Sequence, residues 1–360
     1  MTSSTSSSEA PDDGARFRFP WAFLVALLVG LGIEAALAFV VPGRTKYPKV
    51  PYRRFYAPGR VPSFEESITQ WQVHQALNVA GPQDIILLGD SSCLMSLRPN
   101  QIMRETGLST WTLATLGFYG VDGHTRLLEA HIGRFAPPRV VVYHVSYWTL
   151  KYTKQPQWYQ RYLDWLKRVE GRTDGSNAER IRTWLPSLAY REVSRNWLVP
   201  ETVKVGFLDE PRGGHTSDNR TRKELLEKRG ALEEPGVGVW PKAPEVPFGL
   251  SEESARALER LFQRAKHHGF GVLVVMEPLP KIAATPNNLA GIEQLQTDLE
   301  KLARSHRHVR IADPVVTFLP NDVCQSVTHV LEKGAQQNTA RLIEHIGRCE
   351  DLMRPLSPKH

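Results

Sequence analysis

Ser91 and His329 are the two side chains whose types and settings would do chemistry together. Ser91 stands in Gly89-Asp90-Ser91, directly after the apolar run 85–88 (Ile-Ile-Leu-Leu). A short apolar run closed by a turn signal fits a buried strand of a parallel sheet, and ligands of such sheets bind beyond the carboxyl ends of the strands. A serine presented there is placed to attack a carbonyl. Gly-Asp-Ser also makes an ordinary turn, in which an aspartate such as Asp90 caps backbone groups. A serine hydroxyl is a weak nucleophile without a base in hydrogen-bond reach, and imidazole serves because it titrates near neutrality. His329 lies just ahead of Ala335, Thr339, Leu342, Ile343 and Ile346, which are spaced to bury one helical face. It therefore sits on a loop entering a helix, where a packing or solvated role is the alternative to that of a base.

Taken in chain order, Gly-Asp-Ser after the first strand, a glycine after the second and a histidine before the last helix resemble the SGNH or GDSL hydrolase superfamily. The resemblance runs over 83–346 with a large insertion in the middle, and it is strongest to membrane-anchored members that handle O-acyl groups of cell-surface polysaccharides. Their first block continues through apolar residues to a proline, as 93–99 does, and their last block ends in His-Leu-x-x-x-Gly-Ala, approximated by 329–335. The resemblance implies Ser91 as nucleophile, His329 as base, and the backbone N–H groups of Ser91 and Gly117 as oxyanion donors, a contribution typically worth several kcal/mol of barrier. Gly120 is the alternative glycine, and a glycine that merely opens the helix 121–135 is the plain reading.

Three places depart from the family pattern. Ser326 stands three residues before His329, where the family carries the aspartate that orients the imidazole. Asp322, seven residues before His329, is the possible third member, with an ordinary loop aspartate as the alternative. Thr112 occupies the place of the second-block asparagine, and Val145-Ser146-Tyr147-Trp148 offers no third-block asparagine. A Ser-His dyad without a carboxylate would still work, at a reduced rate.

These residues need a scaffold, and the patterning supplies one. Segments 85–88, 111–114, 140–144, 272–276 and 309–311 read as strands. Between them run helical segments: Ser251 with Glu252 and Glu253 opens one that buries Leu258, Leu261, Phe262 and Ala265 and stops at Gly269, and 289–304 repeats the pattern through Ile292, Leu295, Leu299 and Leu302. Such alternation argues an α/β protein with a parallel sheet covered on both faces, a three-layer flavodoxin-like sandwich of the SGNH type. Over 151–250 the alternation fails. Trp158, Tyr159, Tyr162, Trp165, Trp184, Tyr190 and Trp197 punctuate polar segments, and 212–228 is charged and turn-rich. That insertion would form a lid or a sugar-stacking surface, or else a helix that buries Trp158, Tyr162 and Trp165 at helical spacing. Glu277-Pro278 ends the fourth strand, either bordering the cleft or capping a turn.

Ahead of the domain, 21–41 is an apolar stretch which as helix spans about 31 Å, close to a bilayer core. It reads as a single-pass transmembrane anchor, with a cleaved signal peptide as the rival because Ala36-Leu37-Ala38 resembles a cleavage site. The chain thus divides into a polar tail 1–20, the anchor 21–41, a lead-in 42–82, a first domain part 83–150, the insertion 151–250 and a second domain part 251–360. Arg44, Lys46, Lys49, Arg53 and Arg54 outnumber Arg16 and Arg18, so a count of flanking charge would keep the domain cytoplasmic. Long domains translocate largely regardless of such charge, and the resemblance places the domain outside the cytoplasm, periplasmic on a cell membrane.

The net charge of +7 and pI near 9.3 suit acidic polymers or anionic surfaces, or simply solubility, and no nucleic-acid motif accompanies them. Cys93, Cys324 and Cys349 have no metal-ligand spacing, and His267-His268 and His306-Arg307-His308 lack a third ligand nearby. No metal or cofactor is expected. The reading is a membrane-anchored esterase or O-acyltransferase with an acylated polysaccharide or envelope glycan as partner and a membrane-bound acyltransferase as a further one. The alternative is a non-catalytic accessory subunit of an envelope-polymer machine with a degenerate site.

Overall fold

A computed structural model of the chain describes residues 64–169 and 224–353, apart from Pro235, Val237, Val239 and Pro241, together with Trp21 and residues 24–33. The polar tail 1–20, the end of the apolar segment, most of the lead-in, and Trp184, Tyr190 and Trp197 lie outside these residues.

Five strands form one sheet: β1 (Ile85–Gly89), β2 (Thr110–Ala114), β3 (Val140–Val145), β4 (Gly271–Met276) and β5 (Val309–Ile311). Their order is β2-β1-β3-β4-β5 and every pairing is parallel. This is the doubly wound order in which the chain starts in the middle and leaves a crevice at the carboxyl ends where its direction of winding reverses. The expected strands are all present, the first four longer by one residue and the fifth with the expected bounds.

The strands read as continuous apolar runs because both faces are covered. The first four strands are buried at every position. Side chains alternate across a strand, and Ile86, Leu88, Val141, Tyr143, Val272 and Val274 join one core with Leu127, Leu128, Leu261, Phe262, Leu295 and Leu299. Ile85, Leu87, Val140, Val142, Leu273 and Val275 join a second core with Leu94, Ile102, Leu342 and Ile346.

The helices on these faces are α1 (Phe64–Asn78), α2 (Ser91–Ser96), α3 (Pro99–Thr106), α4 (Gly120–Ile132), α5 (Tyr147–Lys151), α6 (Pro156–Val169), α7 (Glu252–His268), α8 (Pro286–Ala303) and α9 (Glu332–Arg348). Their ends follow local chemistry. Ser251 accepts from Ser254 N at the start of α7, and Gly269 at φ 80° closes it in the left-handed conformation that glycine adopts without strain. Thr285 caps α8 through Asn288 N. The helix α1 was not legible in the lead-in, since its buried residues mix Thr69, Gln72 and Gln75 with Ile68, Trp71, Val73, Ala76 and Leu77 and leave no clean apolar stripe.

Two features bear on the insertion. Its first part is α6, whose Tyr162 and Trp165 are buried in the main core, so this aromatic cluster is a packed helix face and not a lid. A later part, residues 229–234 with Gly236, Gly238 and Trp240, forms a strap that starts at the edge of the sheet. Thr112 N donates to Arg229 O (2.9 Å), and Gly230 at φ 88° passes so close that a Cβ there would stand 2.2 Å from Thr112 O. At the other end of the chain, Trp21 and residues 24–33 are helical with Val25, Leu28, Val29 and Leu31 exposed. Among the described residues no helix is long and apolar enough to cross a membrane.

Candidate active site

Ser91 sits where β1 turns into α2. Gly89 is required at the end of the strand, because a Cβ there would meet His144 O at 1.8 Å. Asp90 caps α2, its Oδ1 accepting from Ser92 N (3.0 Å) and from Ser92 Oγ. Its Oδ2 accepts from Ser146 N (3.0 Å), Ser146 Oγ (2.8 Å) and Thr149 Oγ1. Burial pushes the Asp90 carboxyl up, but the hydrogen bonds from Ser92, Thr149 and Ser146 and the field of His124 outweigh it and hold the group below the ordinary aspartate value. Asp90 is thus a buried carboxylate that locks the serine turn to β3 and α5. The Ser146–Thr149 segment, where the sequence offers no asparagine, serves this role.

His329 faces that serine from the loop ahead of α9. Its Nε2 lies 3.1 Å from Ser91 Oγ. The loop is folded by an isolated bridge between Cys324 and Val330 and by Gln325 N and Ser326 N both donating to His329 O (3.0 and 3.1 Å). Gly334 lets α9 close on it, since a Cβ there would meet Val323 O at 2.5 Å. The helix itself is docked on the serine side of the sheet: Asn338 Nδ2 donates to Ser96 O (3.2 Å), Arg98 N donates to Thr339 Oγ1 (3.0 Å), and Arg98 pairs with Glu332 at 2.7 Å.

The carboxyl group on the far side of the imidazole is Glu234. Its Oε2 stands 3.1 Å from His329 Nδ1, with the two side chains 11% and 23% exposed. Asp322, which the sequence offered for this place, lies on the 3-10 turn Asn321–Val323 and is exposed. Ser326 turns its Oγ toward Thr328 (3.2 Å) and not toward the ring. An acid beside Nδ1 favours the tautomer that carries its proton there, which leaves Nε2 to accept the Ser91 hydroxyl proton, the division of roles that a Ser-His-acid triad requires.

Glu234 is held because the strap is pinned on both sides of it. Upstream, Leu232 N donates to Leu94 O of α2 (2.9 Å), and Leu232 is fully buried. Downstream, Trp240 Nε1 donates to Asn321 O (3.0 Å) and Cys324 O (3.2 Å) on the turn that leads to His329. Gly238 passes close beneath, where a Cβ would stand 2.2 Å from Cys324 O. The strap therefore bridges the helix of the serine and the loop of the histidine.

Gly117 opens a 3-10 turn (Gly117–Tyr119) beyond β2 and backs onto the serine turn: a Cβ there would stand 3.9 Å from Asp90 Cβ and 3.1 Å from Thr149 Oγ1. Gly120 is different. Its φ of 62° demands glycine, and its neighbour is Lys154.

A second acid lies behind the site. Glu277, at the end of β4, is buried, with Oε1 accepting from Ser96 Oγ (3.2 Å) and Oε2 without a partner among the described residues. Burial pushes its carboxyl well above the usual range, and the charges of Asp90 and Glu234 add to this against the hydrogen bond from Ser96. Burial likewise lowers the His144 imidazole, to about 4, and Nε2 faces Asn338 Nδ2 at 3.2 Å.

Among the described residues no three His, Cys, Asp or Glu side chains converge as a metal site needs. His306 Nε2 faces the carboxyl oxygens of Glu259 (3.0 Å) and His308 Nε2 faces Phe262 O (2.7 Å). Cys93, Cys324 and Cys349 are free.

No family model matches the chain, and no curated protein matches it. Among solved structures, a Streptococcus pneumonia protein described provisionally as a platelet activating factor aligns over 81% of this chain and 92% of its own, at 11% identity and a TM-score of 0.40. That likeness is too distant to bear on fold or function.

Proposed function

We propose that this chain is a serine esterase or O-acyltransferase in which Ser91, His329 and Glu234 act as a triad. The carrying observation is the continuous contact from Ser91 Oγ to His329 Nε2 and from His329 Nδ1 to Glu234. Ser91 Oγ attacks the ester carbonyl carbon while its proton passes to His329 Nε2. The C–O bond to the alcohol then breaks, and Nε2 returns the proton to the leaving oxygen. An acyl group remains on Ser91. Water releases it as an acid in an esterase, and an acceptor hydroxyl takes it up as a new ester in a transferase, each giving its proton to Nε2. The N–H groups of Ser91 and Gly117 would hold the negative charge that develops on the carbonyl oxygen. Glu234 keeps the imidazole in the working tautomer and stabilises its charged form.

The substrate class we propose is an acyl ester on an extracytoplasmic polysaccharide or envelope glycan, with the chain anchored by 21–41 and the domain outside the cytoplasm. The apolar length of that segment supports the anchor. The relay argues against the accessory-subunit reading, since a degenerate site has no need to keep a pinned acid on the imidazole. Hydrolysis of p-nitrophenyl acetate by wild type, Ser91→Ala and Ser92→Ala tests the chemistry: only Ser91→Ala should lose it, and equal rates in all three would sink the assignment. Protease added to spheroplasts tests the topology, digestion of the domain being expected and its protection until lysis contradicting the proposed location.

A further inference from the structure

Trp148 and Tyr152 are the two large aromatic side chains left exposed among the described residues beyond 33, at 41% and 39%. Among the described residues of the insertion, Tyr162 and Trp165 are buried, and Trp158 and Tyr159 are partly buried against the core. The two rings lie together, their centroids 4.2 Å apart and their planes inclined by 44°. An exposed aromatic pair costs free energy in water and calls for a reason.

Their placement supplies one. Trp148 lies at the start of α5 and Tyr152 caps its end, and this short helix follows β3, the direct neighbour of the strand that carries Ser91. Trp148 flanks the candidate oxyanion glycine, its Cδ1 lying 3.5 Å from where a Cβ of Gly117 would be. The next residue, Thr149, donates its hydroxyl to Asp90, adjacent to Ser91 in the chain. The base beneath the rings is rigid: Ser251 N donates to Leu150 O (3.0 Å) and Ser254 Oγ to Thr149 O (3.1 Å).

We infer that Trp148 and Tyr152 form the stacking platform for the sugar ring that carries the ester, a deepening of the esterase or acyltransferase reading on which it rests. A pyranose ring has an apolar C–H face and a hydroxyl rim, so it binds a flat aromatic surface on one side and keeps its hydroxyls in water. A platform less than half exposed and open to solvent fits that ligand. A long acyl chain instead needs an enclosed apolar channel that buries most of its surface.

The test compares O-acetylated cellopentaose with p-nitrophenyl acetate. Trp148→Ala should lower the ratio of kcat/KM for the sugar ester over the small ester about tenfold, mainly through KM. Tyr152→Ala should act in the same direction, Trp148→Phe should restore most of the ratio, and Leu289→Ser, an exposed apolar residue on α8, should leave it alone. An unchanged ratio in Trp148→Ala overturns the platform, whether both rates fall or neither does. So does a loss that grows from p-nitrophenyl acetate to octanoate, which would mark an acyl channel. If wild type hydrolyses neither ester the esterase reading falls, and saturation-transfer NMR with cellopentaose decides the platform separately. A signal that Trp148→Ala abolishes upholds it; an equal signal, or none in wild type, overturns it.

Discussion

Glu234 Oε2 stands 3.1 Å from His329 Nδ1, although two complete strand–helix units of the sheet separate them along the chain. The acid reaches the imidazole from the strap that leaves the insertion. The carboxyl group beside the imidazole thus comes from far along the chain, and Ser326, three positions before the histidine, turns toward Thr328.

Glu234→Gln should therefore lower kcat by about 10²–10⁴-fold, because an amide at Nδ1 favours the wrong tautomer. Asp322→Asn should leave kcat within about twofold, since Asp322 lies exposed on its turn. Ser326→Asp should bring no gain, as Nδ1 already has its partner. Steady-state kinetics with p-nitrophenyl acetate measures all three.

The strap is the second point to test. Gly238→Ala forces a Cβ toward Cys324 O and should cost about 1–3 kcal/mol of stability. Its effect on kcat should exceed its effect on folding, because the displaced strap carries Glu234 away from His329. Trp240→Ala, which removes two hydrogen bonds to the same turn, should show the same pattern. Thermal melts run beside kcat distinguish displacement from unfolding: loss of activity only in step with loss of fold would contradict it.

Much of this scaffold was legible in the sequence. The five strands, α7, α8 and α9 follow from apolar periodicity, and Ser91 and His329 from their places at a strand end and ahead of a helix. Glu234 was not, because no local rule links an acid to a histidine so far along the chain, and Glu233-Glu234-Pro235 looks like any charged turn. The available signal was around it: buried-type Ala231-Leu232 before it, Gly236 and Gly238 after it, and Trp240 as an anchor. The helix α1 was illegible for a different reason. Its inward face includes Gln72, whose amide donates to Gly230 O (2.7 Å), so polar residues occupy positions where a pattern search expects apolar ones.

Glu277 should oppose stability as pH rises. Its folded pKa lies above the ordinary glutamate value of 4.5, so its stabilising protonated form is fully present below that value in both states, and stability is lost as pH climbs toward the folded pKa. Glu277→Gln removes the penalty. Its melting temperature should match wild type below about pH 4.5 and exceed it by a growing margin toward neutral and alkaline pH. A melting temperature that falls further below wild type as pH rises would show that the carboxyl is needed ionised.

Asp90 carries the opposite sign. Its pKa is held below the ordinary 3.8, so its contribution is present above that value and is lost as pH falls through the folded pKa. Asp90→Asn should destabilise by on the order of 3 kcal/mol at neutral pH, because an amide nitrogen cannot accept from the donors of Ser146 and Thr149. The variant should also lose the acid limb that this group gives to wild type. Denaturant titrations between about pH 3 and 7 read both effects.

Labelling with a fluorophosphonate, located by intact mass and peptide mapping, tests the triad most directly. A single adduct on Ser91 is expected in wild type and in Ser92→Ala, none in Ser91→Ala, and a labelling rate reduced by at least about tenfold in both His329→Ala and Glu234→Gln. An adduct on another residue, or equal labelling rates across wild type, His329→Ala and Glu234→Gln, would contradict the assignment of Ser91, His329 and Glu234 as one catalytic unit.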